Sequence, residues 1–220
     1  MFHNVKDSIF SSMRQGIRNL SLLPGAVISE TEVSTRYDVS RTPVREAFIR
    51  LADEALIKVV PQKETTVSLI DLDRVRQEHF LRVQLELSVL KPFIERRSVE
   101  QHIVIMKTYI EMQIAALQRK EWVNFMTYDD IFHNMIFQGA GQELSGKLIN
   151  STSGHYYRIR MLSIWLNGVA EDVVSQHELL LQALEKQDLE AAQAVLCKHL
   201  SKLNFEEQLL LKEYPSYFLT

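Results

Sequence analysis

The 220-residue chain is 46% hydrophobic and 24% charged, a globular composition that excludes intrinsic disorder and leaves room for one large domain or two small ones. Its single cysteine, Cys197, excludes an internal disulfide framework. No run approaches the ~18 uncharged apolar residues of a membrane span, so a cytoplasmic protein with no signal peptide and no membrane partner is expected. The net charge of -3 divides unevenly: residues 1–70 carry nine Lys/Arg against eight Asp/Glu, and residues 71–220 carry sixteen against twenty. A nucleic-acid partner, which needs cations to neutralise phosphate, would therefore face the N-terminal part.

Val5, Ile9, Phe10, Met13, Ile17 and Leu20 recur at helical spacing, and Leu23-Pro24-Gly25 ends that helix in a turn. Two short helices follow, joined through Tyr37-Asp38-Val39. Ser29 caps the first, with Glu32 completing a capping box, and Ser40 caps the second. After Leu51 two β-prone stretches, Leu56 to Val60 and Thr65 to Ile70, flank Pro61-Gln62-Lys63-Glu64 and read as a small hairpin.

In the helix that starts at Arg41, Val44, Ala47, Phe48 and Leu51 form one apolar stripe, which turns Arg41, Thr42 and Arg45 outward. Arg41 and Arg45 lie one turn apart near the N-terminus, the part of a recognition helix that meets base edges. Arginine there can hold guanine O6 and N7, while Ser40 and Thr42 can grip phosphate. Two arginines four apart are by themselves an ordinary solvated face. Helix, turn, basic second helix and a hairpin bearing Lys63 together make a winged helix-turn-helix layout.

From Asp71 onward long helical periodicity prevails, with polar breaks near 98–100, 118–121, 139–142, 167–170 and 187–188. A bundle of about six helices is expected, with a kink or break at Pro92. The fold class is thus mainly α, a winged helix-turn-helix over 1–70 and an all-α bundle over 71–220.

Asp129 and His133 are four apart and share one helix face, a spacing that suits two ligands of one metal. His177 and His199 are equidistant from position 188, where Gln187-Asp188 joins two helices and Asp188 can cap the second. In an antiparallel hairpin turning there, both imidazoles stand about 16 Å from the turn, at the same height. One carboxylate and three imidazoles can then converge on a divalent ion, with Zn, Ni, Mn and Fe all compatible. A lone histidine is more often a satisfied core residue than a ligand, which is the reading for His3, His79, His102 and His155. A polar hydrogen-bonded core of the same four residues without metal is the plainer alternative.

Leu23-Pro24-Gly25, Ile28-Ser29-Glu30, the run Val39 to Ala47 and Arg50-Leu51 resemble the DNA-binding domain of the GntR family. The resemblance implies operator contacts from Ser40, Arg41, Thr42 and Arg45, and a wing reaching the minor groove. Two departures stand out. Thr31 occupies a position often held by arginine, and Glu64 replaces the usual wing glycine, leaving Lys63 as the wing residue to name.

Residues from about 72 to 212 resemble the FCD ligand-binding domain of the FadR subfamily, through Arg82 to Glu86, Asp129 to His133, and His177 followed by His199. The resemblance selects Asp129 over Asp130 as the carboxylate ligand and implies a metal that helps hold a small organic acid. Arg82 is a candidate for the effector's carboxylate, with an ion pair to Glu86 as the plain alternative. Arg158 and Arg160 are further candidates. The resemblance also implies a homodimer on double-stranded operator DNA. A metalloenzyme using the three-histidine, one-carboxylate centre is the competing function.

Overall fold

The computed structural model describes residues 5–60, 64–96, 99–166 and 168–219. The first helix, α1, spans Val5–Arg18 and buries Ile9, Phe10, Met13 and Ile17. It ends two residues before the expected stop, at a turn where Leu20 takes φ 63°. Leu20 thereby leaves the small N-terminal core and packs into that of the helical domain.

Helices α2 (Glu30–Tyr37) and α3 (Arg41–Asp53) form the helix-turn-helix. The Ser29 hydroxyl accepts from the Glu32 N–H at 3.1 Å, so the cap expected there exists. Ser40 occupies the N-cap position of α3, but its side chain makes no capping hydrogen bond. That corrects the expected cap and leaves the hydroxyl exposed.

The hairpin is one strand larger than expected. Strand β2 (Ile57–Val59) pairs antiparallel with β3 (Thr65–Val67), and β3 also pairs with β1 (Val27–Ile28), in the order β1-β3-β2. Two residues after the Pro24-Gly25 turn are too few to show periodicity, which is why β1 escapes a reading of pattern alone.

Among the described residues eight α-helices follow in the second part: α4 (Leu72–Glu95), α5 (Val99–Gln118), α6 (Trp122–Gly139), α7 (Glu143–Thr152), α8 (Gly154–Ser163), α9 (Val169–Glu185), α10 (Leu189–Leu200) and α11 (Leu203–Glu213). About six were expected. The additional boundaries fall at the single residue Ser153 and near Ser201, where no Gly-Pro cluster marks a stop. Helix α4 continues through Pro92 to Glu95. Pro92 is close to the helix end, and both it and Ser88, whose carbonyl loses its donor, are exposed, so the loss falls on the solvent side of the helix.

Helix α4 packs on α6, α8 and α10, α5 packs on α6 and α9, and α9 packs on α10. These contacts close a ring, α4-α6-α5-α9-α10, around a polar centre inside an otherwise apolar core of Phe93, Phe125, Phe132, Ile136, Leu180 and Leu196. Among the described residues no helix is long and apolar enough to cross a membrane.

Candidate DNA interface and metal centre

On α3, Val44, Ala47, Phe48 and Leu51 are buried, and Ser40, Arg41, Thr42 and Arg45 are exposed together on the opposite side. Arg45 is not free: its Nε donates to both carboxylate oxygens of Glu30, at 2.8 and 3.0 Å. Thr31 is exposed beside it on α2. The Val60 N–H donates to the Glu64 carbonyl at 2.9 Å, so the Glu64 backbone closes the wing while its side chain stays exposed. Lys63 lies outside the described residues.

Inside the helical domain Asp129 and His133 on α6, His177 on α9 and His199 on α10 come together. One ligand atom from each lies within 4.8 Å of every other. The α9–α10 hairpin turns at Gln187, with φ 55°, and Asp188 caps α10 by accepting from the Ala191 N–H at 3.0 Å. His133 Nε2 is 3.2 Å from His199 Nε2 and 3.3 Å from His177 Nε2, and His177 Nε2 is 3.6 Å from Asp129 Oδ1.

Each ring is oriented from behind. His133 Nδ1 donates to Glu86 Oε2 at 2.7 Å, His177 Nδ1 to Gln113 Oε1 at 2.8 Å, and His199 Nδ1 to Gln176 Oε1 at 3.0 Å. Phe132 stacks on His177 with ring centres 4.3 Å apart. With every Nδ1 donating to an acceptor behind it, the three rings turn toward one point their Nε2 atoms, the position that carries the lone pair in a neutral imidazole. Lone pairs repel, so this donor set fits a cation and is poorly explained as a hydrogen-bonded core. The group could hold a metal ion.

Electrostatics agree with ligand-ready protonation. Burial pushes the His177 imidazole down to about 3 and holds His199 well below its ordinary value. Burial opposes ionisation of Asp129, but the neighbouring guanidiniums of Arg160 and Arg82 favour it, and the carboxyl is held far below the usual range. Cys197 is exposed, away from the buried His199.

A cavity of about 430 Å³ lies beside the centre, lined in part by Arg82, Glu86, His133, Tyr156 and Arg160. Arg82 is 3% exposed and donates through Nε to Glu86 at 2.5 Å. It therefore both lines the cavity and forms the ion pair weighed as its alternative role. Arg160 pairs with Asp129 and, at 3.1 Å, with Asp130. Arg158, two positions earlier, points elsewhere, donating to the Ser68 carbonyl at 2.5 Å and to His155 Nδ1 at 3.0 Å. A separation of two residues on a helix places side chains on nearly opposite faces, so only Arg160 of this pair reaches the cavity.

Residues 5–67 match the family described as bacterial regulatory proteins, gntR family, and residues 79–202 match the FCD domain. The chain belongs to the GntR family. This GntR regulator is 30% identical to the HTH-type transcriptional repressor RspR of Escherichia coli K12, over 97% of the chain and 93% of that repressor. It is 29% identical to an HTH-type transcriptional regulator in an unstable DNA locus of Streptomyces ambofaciens, covering 96% and 89% of the two chains. Its fold is shared with E. coli McbR/YncC, with a TM-score of 0.80 at 18% identity over 96% of this chain and 99% of that one. A GntR transcriptional regulator from Rhodococcus sp. RHA1 gives 0.77 at 19% identity, over 93% and 97%.

Several residues that build the site of this GntR regulator escaped the sequence reading. Gln113 sits on a stripe with Met106, Ile110 and Ala116, and a polar residue on an apolar stripe was the signal available. Gln176 immediately precedes His177, yet nothing marks it as an acceptor. His155, set aside as an ordinary histidine, is 2% exposed and joins the two domains. Its Nε2 donates to the Ala55 carbonyl at 3.0 Å, and its Nδ1 accepts from the Asp71 N–H at 3.1 Å.

Proposed function

We propose that this GntR regulator binds operator DNA through Ser40, Arg41, Thr42 and Arg45. Its helical domain holds a divalent metal through Asp129, His133, His177 and His199, and a small organic acid in the adjoining cavity controls operator affinity. The observation that carries the reading is the convergence of three Nε2 atoms at 3.2 and 3.3 Å, with every Nδ1 engaged by an acceptor. Such spacings are those between neighbouring ligands at ~2.0–2.1 Å from one ion. When bound, the metal supplies positive charge and an open coordination position for a carboxylate.

The domain boundary is placed between Ile70 and Asp71, and the helical domain is assigned to the FadR subfamily. The working form is a cytoplasmic homodimer, since two-fold sites call for two reading heads. Exposed Val104, Ile105 and Met112 along α5 support a second copy as their cover. Regulation follows from unequal effector affinity for two arrangements of the heads. Lys63 is assigned to the wing contact, and Arg82 to the effector's carboxylate. The centre binds and does not turn over its ligand.

Elemental mass spectrometry on untagged protein, wild type beside His177→Ala, tests the centre. Near-stoichiometric metal lost in the variant is expected. Absence of metal from both, even after incubation with Zn, Ni and Mn, overturns the sensing mechanism. Conversion of a candidate acid by metal-loaded protein overturns the regulatory role of the centre.

A further inference from the structure

The cavity beside the candidate metal centre is not lined by the helical domain alone. Gln15 and Arg18, on the first helix of the reading head, form part of its wall together with Arg82, His133 and Arg160. Arg18 is 5% exposed. Its Nη1 donates to Asn150 Oδ1 at 2.9 Å and its Nη2 to Asp130 Oδ2 at 3.3 Å, while its guanidinium carbon stands 3.9 Å from the centre of the Tyr157 ring. Its Nε is buried with no hydrogen-bond partner among the described residues. A buried guanidinium that leaves a donor unused is costly unless something else completes it.

The carboxylate that holds Arg18 is shared. Asp130 also accepts from Arg160 at 3.1 Å, and the other end of Arg160 lies on Asp129, a member of the metal centre. A continuous chain of charges thus runs from the centre to the head: Asp129, Arg160, Asp130, Arg18. Both guanidinium carbons flank Tyr157, at 3.9 and 5.6 Å from its ring centre, so they stand no farther apart than the sum of those distances. One small molecule can reach both.

Charge decides which molecule. Three guanidiniums, of Arg18, Arg82 and Arg160, are matched by three carboxylates, of Glu86, Asp129 and Asp130. An imidazole that ligates through Nε2 and keeps its Nδ1 proton carries no charge, so with metal bound these side chains balance one another and the divalent ion adds two positive charges with nothing to offset them. Buried charge is tolerated when it is paired, so the loaded site is complementary to a dianion.

We propose that Arg18 is itself an effector ligand, so that the reading head completes the site, and that the effector is a small dicarboxylate whose second carboxylate replaces Asp130 on Arg18. The inference rests on the organic-acid reading above and adds the ligand's charge and the residue that reports it to the head. Exchange at Arg18 alters a contact between α1 and the helical domain, which is the differential interaction that a ligand-driven shift requires.

Titration calorimetry on the full-length, Zn-treated protein compares succinate with succinamate, which has the same length and one charge fewer. Wild type is expected to prefer succinate by about tenfold or more, the worth of one charge-assisted pair. Arg18→Gln, which keeps a donor for Asn150, should bind both ligands alike, and Arg18→Lys should restore most of the preference. A purely structural role for Arg18 would weaken both ligands together and leave their ratio unchanged, so an unchanged ratio overturns the proposal. Failure of wild type to bind succinate, malonate or glutarate overturns it as well. Metal content measured on the same samples separates the two readings: an Arg18-dependent preference in protein that holds no metal supports Arg18 as a ligand and sinks the metal centre.

Discussion

His133 and Glu86, 47 positions apart in the chain, meet at 2.7 Å inside the bundle, and the carboxylate accepts the Nδ1 proton that would otherwise leave the ring free to turn. Arg82 completes the arrangement by donating to the other oxygen of Glu86 at 2.5 Å. Replacing Glu86 by Gln keeps an acceptor but removes the charge facing Arg82 and His133. Loss of such a supporting carboxylate typically costs 10–100-fold in metal affinity. Competition of the purified variant against a chromophoric chelator should read about that loss, and an unchanged affinity would mean that Glu86 does not orient the ring.

The reading helix makes a second prediction. Among the described residues Arg41 is exposed and makes no ion pair, whereas Arg45 is held by Glu30 and, on the function proposed above, would exchange that carboxylate for DNA. Arg41→Ala should weaken operator binding by about 1–3 kcal/mol and relax preference at one base pair. Glu30→Gln should instead tighten binding to unrelated duplexes, because Arg45 is released. Fluorescence anisotropy on operator and scrambled DNA at one fixed salt concentration checks both.

His155 predicts a pH dependence of stability. Burial, then the neighbouring Arg158, push its imidazole down to about 3, against an unfolded value of ~6.5. The folded state therefore holds it neutral while the unfolded state takes up a proton below that value. Its contribution is complete above pH ~6.5 and is lost as the pH falls toward 3. Melting temperatures measured from pH 7 to 4 should fall less steeply for His155→Gln than for wild type. Parallel slopes would remove His155 from the account.

Gly154 predicts a packing constraint between the domains. A Cβ built there would stand 2.6 Å from Leu56 Cδ2, and Leu56 is completely buried. Gly154→Ala should cost about 1–3 kcal/mol through overpacking. Combining it with Leu56→Ala should cost less than the two changes summed, since the shortened side chain makes room for the new methyl. Urea denaturation of the single and double variants measures the coupling, and additive losses would show that the two sites do not touch.

Much of the fold was legible in the chain. Apolar residues at helical spacing, the Ser29 and Asp188 caps and the polar breaks near 118–121, 139–142 and 187–188 all coincide with real boundaries. The matched height of His177 and His199 about position 188 was legible too, because a short turn between antiparallel helices leaves register to arithmetic. Strand β1, the break at Ser153 and the unbroken passage through Pro92 were not. Each depends on how neighbouring elements pack and on which side of a helix meets water.

What the sequence determined by itself is therefore local: which segments are helical, which faces are apolar, and which pairs of ligands share a face or a height. Periodicity and capping act over a few residues, and their consequences are written in order along the chain. Tertiary structure alone decided that Gln113 would serve His177 across 64 positions, that Arg160 and not Arg158 would face the cavity, and that Arg18 would reach Asp130 across 112 positions. Those partnerships arise from helices closing on one another. A buried polar group takes whichever partner that closure brings within reach, and no spacing in the chain encodes the choice.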